Sequence, residues 1–261
     1  MSPNPILRLA FALPLFADSG VAQARPEFEI VEIPVNKIFV PARGFDDNDS
    51  VEAVLDGQLP SPCYTLEKQK VEYNPALHQF TIRQFAVRQR MGVCAGPDDK
   101  GGSVTETRIP FTEPVTLGRL DTGNYSVVYN RGEEPGTSQF QVHHAAVPTA
   151  DDRPYAVIRS VEVPDRVRTG ARTFATINGI LINSCYELDN RVDVELVDDV
   201  AVVLPTVRVQ TGRACLEYIR PFSIEVDLGG FRQAGRYLVH VRSMHGKSVN
   251  AAFSAVPTNR R

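Results

Sequence analysis

Two short runs concentrate the groups able to bind a metal or move a proton: Asp46-Asp47-Asn48-Asp49-Ser50 and His143-His144. The first offers clustered oxygen ligands, which calcium favours, but it lacks the glycine at position six and the closing glutamate of an EF-hand loop. It reads first as an acidic loop ahead of a strand, with calcium as the alternative. The second pair sits in a strand pattern, where neighbouring side chains point to opposite faces, so one metal is poorly served by both. His240 and His245 flank the turn after an apolar strand and are expected at the surface. There is no Gly-x-Ser-x-Gly, no His-Glu-x-x-His and no Cys-x-x-Cys, so neither serine-hydrolase nor zinc chemistry has a local signature. Arg83, Arg88 and Arg90 form a small basic group without matching aromatic platforms. The net charge is -3, and residues 1–150 carry 18 acids against 13 Lys and Arg. Nucleic acid is therefore not an expected partner. No catalytic residue, cofactor or metal site is expected.

The elements that would carry these groups come from a stretch that occurs twice. Ile109-Pro110-Phe111, then Leu117-Gly118, then Gly123-Asn124-Tyr125 is answered by Arg220-Pro221-Phe222, Leu228-Gly229 and Gly235-Arg236-Tyr237. Upstream, residues 173–179 lie over 51–57 at a constant offset of 122, which continues through Cys185-Tyr186 over Cys63-Tyr64. Alternating apolar runs at 29–35, 51–55, 80–87 and 138–142, and again at 157–163, 192–197 and 200–209, are separated by Gly, Pro, Asn and Asp. Such short strands at regular spacing predict antiparallel β-sandwiches. Pro34 places the opening strand of the first copy at an edge, and Pro164 ends the opening strand of the second. Asp121-x-Gly-x-Tyr125 has the form of a tyrosine corner, and Tyr237 repeats it.

Residues 1–24 read as a secretory signal: Arg8, a short apolar run over 9–17, and Ala22-Gln23-Ala24 as the cleavage site. The expected order is signal peptide 1–24, first domain 27–146, linker 147–154, second domain 155–256 and a tail, 257–261. The mature chain is expected in the periplasm or outside the cell, with no membrane span. Four cysteines could pair in three ways. In an oxidising compartment, the repeated intervals of 31 and 30 residues, each bracketing a predicted hairpin, point to Cys63–Cys94 and Cys185–Cys215.

With Cys63-Tyr64, Cys94, Pro110-Phe111, Leu117-Gly118 and Gly123-x-Tyr125 matched by Cys185-Tyr186, Cys215, Pro221-Phe222, Leu228-Gly229 and Gly235-x-Tyr237, the chain resembles tandem immunoglobulin-like domains of secreted bacterial proteins. It departs from antibody domains in having no Trp, and in having Val127 and Val239 where the strand-F cysteine would stand. The resemblance implies two tandem all-β immunoglobulin-like sandwiches and an adhesive, spacing or accessory role more than any chemistry. The expected function is non-enzymatic binding to a protein or cell-surface component. The alternatives are an inhibitor-like protein presenting the polar insert 96–103, and less favoured, a secreted hydrolase or metal-dependent enzyme.

Overall fold

The structure is a computed structural model that describes residues 28–41, 45–90, 107–149, 151–212 and 214–258. The expected signal segment, Cys94 and the insert 96–103 lie outside the described residues. Among those residues the regular structure is entirely β-strand. The first half contains β1 (Phe28–Ile33), β2 (Val35–Phe39), β3 (Val51–Leu59), β4 (Tyr64–Asn74), β5 (Gln79–Gln89), β6 (Ile109–Gly118), β7 (Gly123–Asn130) and β8 (Pro135–Val142). The second contains β9 (Val157–Glu162), β10 (Arg166–Arg168), β11 (Arg172–Leu181), β12 (Tyr186–Leu188), β13 (Asp193–Val197), β14 (Val200–Leu204), β15 (Val207–Val209), β16 (Arg220–Gly230), β17 (Gly235–Ser243) and β18 (Lys247–Val256).

Pro34 supplies no amide hydrogen, and the chain leaves one sheet there for another: β1 pairs with β5, whereas β2 pairs with β3. The first half is thus two sheets, β1-β5-β7-β8 with β4 on the other edge of β5, and β2-β3-β6. They enclose a core that includes Ile38, Leu55, Ile82, Phe111, Val127 and Phe140. The second half opposes β10-β18-β17-β14-β13 to β16-β11-β9 around Ile177, Val203, Val239 and Phe253. The pairing is mostly antiparallel, but β5 runs parallel to β7, β14 to β17 and the short β10 to β18. In each half one long strand crosses to the opposite sheet before the chain returns, and such a crossover brings the next strand back in the same direction.

Residues from the repeated stretch make matching contacts. Phe111 and Phe222 lie opposite Gly57 and Gly179, and a Cβ on either glycine would stand 2.3 or 2.4 Å from the ring's Cζ. Only glycine lets the ring cross the neighbouring backbone. The hydroxyls of Tyr125 and Tyr237 donate to the carbonyls of Asp121 (2.8 Å) and Gln233 (2.9 Å).

The halves pack face to face. On β3, Ala53 and Leu55 enter the first core while Glu52, Val54 and Asp56 point the other way; on β17, Tyr237, Val239 and Val241 enter the second core while Arg236, Leu238, His240 and Arg242 point back. The two outward faces meet over Phe39, Val54, Val200, Val202 and Leu238. The molecule is therefore four sheets deep, and β3 and β17 are buried on both sides.

Candidate functional site

The seam between the halves gathers the buried charges. Asp49 and Arg242 are each 2% exposed and pair at 3.2 Å, with both carboxylate oxygens facing Nη2. The rings of Phe45 and Tyr155 lie 5.1 and 5.8 Å from the guanidinium carbon. Burial pushes the Asp49 carboxyl up to about 6, against the pull of Arg242. Beside it His240, fully buried, has Nδ1 2.8 Å from Asn250 Oδ1; an amide oxygen only accepts, so Nδ1 carries the proton. Burial lowers its pKa to about 4, so the ring is neutral. Asn250 Nδ2 and Ser248 Oγ both donate to Glu52 Oε1, at 2.9 and 2.6 Å. Further along, Arg236 clamps Asp56 through Nε and Nη2 (3.0 and 2.7 Å), and Lys37 pairs with Asp199. Desolvation lowers the Lys37 pKa, opposed by Asp56 and Asp198.

His240 was expected at the surface from its position near a turn, and the structure corrects this. The strand carrying it has a second sheet against its outer face, so a position that alternation marks as outward is inward to the molecule. His245 is exposed as expected, with its backbone N–H donating to Asp151 Oδ2 at 2.7 Å.

The acidic loop does meet the histidine pair. Asp46 forms a parallel bridge with His143, and the amide of Asp47 donates to the His143 carbonyl at 2.9 Å. The Asp47 carboxylate accepts from the amide of Ala145 (3.0 Å) and from Thr122 Oγ1 (3.1 Å), and lies 2.7 Å from His144 Nδ1. The Ala145 amide, then His144, holds its pKa below the usual carboxylate range. Asp46 Oδ1 accepts from the Asn48 amide at 3.2 Å, while Asp49 turns inward to Arg242. Three aspartates that cluster in sequence thus face three different partners. Among the described residues no group of three or more Asp, Glu, His or Cys side chains is arranged to hold a metal ion.

The basic trio is likewise engaged: Arg83 with Glu32 at 2.5 Å, and Arg90 and Arg88 with Glu29 at 2.5 and 3.9 Å. Cys185 is bonded to Cys215, and Cys63 is disulfide-bonded. The amides of Cys63 and Cys185 donate to Ser61 Oγ and Asn183 Oδ1, so a short polar side chain two residues upstream fixes each cysteine turn.

What the sequence did not reveal is the seam itself. Its signal was there in the even-numbered residues Glu52-Val54-Asp56 and Arg236-Leu238-His240-Arg242, which alternate with core residues. A mixed polar stripe of that kind reads as a solvated face until a second sheet is known to cover it. Chemically the seam offers one histidine, four carboxylates and three cations, all bonded or enclosed, so it can hold two sheets in register. Compared with known proteins, the chain matches no family model, no curated protein and no solved structure.

Proposed function

We propose that the chain is a non-enzymatic, extracytoplasmic binding module built from two tandem sandwiches of the immunoglobulin-like kind. The observation that carries this reading is the fate of its reactive groups. His240, Asp49 and Arg242, which could move protons or hold an anion, are sealed between sheets. The acidic loop is spent on neighbouring backbone and His144. The Cys185–Cys215 bridge accords with an oxidising compartment. Among the described residues no helix is long and apolar enough to cross a membrane. The matched contacts at Gly57 and Gly179 and at Tyr125 and Tyr237 support a duplicated unit, within which the parallel β5–β7 and β14–β17 pairings depart from an all-antiparallel sandwich.

The test is to apply fluorescently labelled protein, residues 25–261, to intact cells and isolated envelopes of the source organism. Saturable binding that survives EDTA is expected. No saturable binding, or turnover of ester, peptide or glycoside substrates by the purified protein, would overturn the reading.

A further inference from the structure

The parallel pairs β14–β17 and β5–β7 start at equivalent positions, Val200 opposite Leu238 in the second half and Gln79 opposite Ser126 in the first. In the second half this sheet face carries Val200, Val202 and Leu238 and is buried against the first half. In the first half no second sheet covers the matching face among the described residues, and half-buried Gln79 and Ser126 stand where the other has Val200 and Leu238. A second sheet has no apolar seam to dock on there. What stands instead is a concave surface of about 570 Å³ between β7, β8 and the turn bearing Leu77.

Its chemistry is neutral. Asn124 lies opposite Gln141, and Ser126 opposite Gln139. All four line the cleft, and among the described residues no Asp, Glu, Lys or Arg does. Among the described residues the side-chain amides of Asn124, Gln139 and Gln141 have no hydrogen-bond partner. Each amide group can donate two hydrogens and accept on its oxygen. Strand geometry spaces these groups about 4.8 Å across the sheet and about 6.8 Å along it.

The backbone that carries the array is fixed from below. Beneath it Tyr125 stacks on Phe140 at 5.4 Å, and the Tyr125 hydroxyl is tied to Asp121. The turn is fixed by Ala76 N donating to Asn74 Oδ1 (3.1 Å) and by Ser126 N donating to the His78 carbonyl (3.1 Å). Leu77 is thereby held as an apolar wall, 64% exposed.

We propose that this face binds a neutral carbohydrate chain, an inference that rests on the extracytoplasmic binding reading and names its ligand class. Every sugar hydroxyl both donates and accepts, as every amide here does, and the C–H face of a pyranose ring matches Leu77. A charged ligand finds no counter-charge in the cleft. A peptide strand added to β8 would use that strand's backbone edge and leave the three amides idle.

Side-chain NH2 groups are visible in ¹⁵N-correlated NMR spectra, so the contact can be read directly. Labelled protein, residues 25–261, is titrated with neutral hexasaccharides of glucose, mannose and N-acetylglucosamine. With at least one of them, saturable shifts are expected at the NH2 signals of Asn124, Gln139 and Gln141, and they should persist at about 0.5 M salt because no charges are being screened. Gln139→Ala with Gln141→Ala, both on an exposed face, should weaken binding at least ~10-fold with the rest of the spectrum unchanged, as expected for losing one or two hydrogen bonds. No shift with any of the three sugars, shifts unaltered in the double variant, or a response confined to the β8 backbone on adding an extended peptide would each overturn the proposal. Envelope binding retained in full by the double variant would sink this inference alone, whereas absence of envelope binding by the unaltered protein would sink the broader reading.

Discussion

Asp49 and His240 are displaced by the same burial in opposite senses, and their effects on stability oppose each other. Folded Asp49 keeps its proton up to about 6, whereas an unfolded aspartate loses it near 3.8. Its contribution is therefore present at acid pH and lost as pH rises through about 6. Folded His240 refuses a proton down to about 4, whereas the unfolded ring accepts one near 6.5. Its contribution is present above 6.5 and lost as pH falls toward 4. Across that window the two slopes offset. Relative to the unaltered protein, Asp49→Asn should lose stability more steeply as pH drops from about 6.5 to about 4, and His240→Gln should gain over the same range. Urea midpoints at three pH values within the window decide this, and parallel profiles for all three proteins would refute it. At the same scale, Tyr125→Phe and Tyr237→Phe each remove one hydroxyl-to-backbone bond, and each should cost about 1 kcal/mol in a urea titration. Unchanged midpoints would mean that the hydroxyl contributes nothing to holding the start of β7 or β17.

Strands and their punctuation were the most legible part of the chain. The runs at 51–55, 80–87 and 173–179 fall within β3, β5 and β11, because alternation of Val, Ile and Phe with polar residues marks a half-buried strand in any context. Gly57 and Gly179 were visible as repeated residues, but their purpose was not, since only the register puts Phe111 and Phe222 across them. Gly57→Ala should force the Phe111 ring off its place and cost ~1–3 kcal/mol, typical of overpacking. A loss below a few tenths in thermal unfolding would mean that the ring moves aside freely. Edges follow the same logic. Among the described residues β6 pairs with β3 alone, and Pro110 and Pro114 remove amide donors from it, as Pro221 does on β16. This discourages addition of a further strand. The bridge between Cys185 and Cys215 closes a 30-residue separation. Replacing both with Ser should cost on the order of 3–4 kcal/mol by the chain-entropy account, and an unchanged urea midpoint would contradict that.

At the scale of the molecule, alternation within strands could show which residues face away from a core but not what they face. Glu52, Asp56, Arg236, His240 and Arg242 read as solvated until β2-β3-β6 is laid on β14-β17-β18. Two of the seam's ion pairs set Asp49 and Asp56 of the first half against Arg242 and Arg236 of the second, and a third, Lys37 with Asp199, runs the other way. Removing one partner would leave a buried charge unanswered, so such pairs specify which faces meet more than they add net stability. The apolar patch between them supplies the attraction. Two sandwiches joined only by a linker would unfold independently; two joined by this seam should not. The most direct test is equilibrium urea unfolding of the purified protein, residues 25–261, followed both by far-ultraviolet circular dichroism and by the tyrosine signal. One coincident transition is expected, which Arg242→Ala splits or broadens by unpairing Asp49 within the seam. Two resolved transitions in the unaltered protein, unmoved by Arg242→Ala, would contradict it.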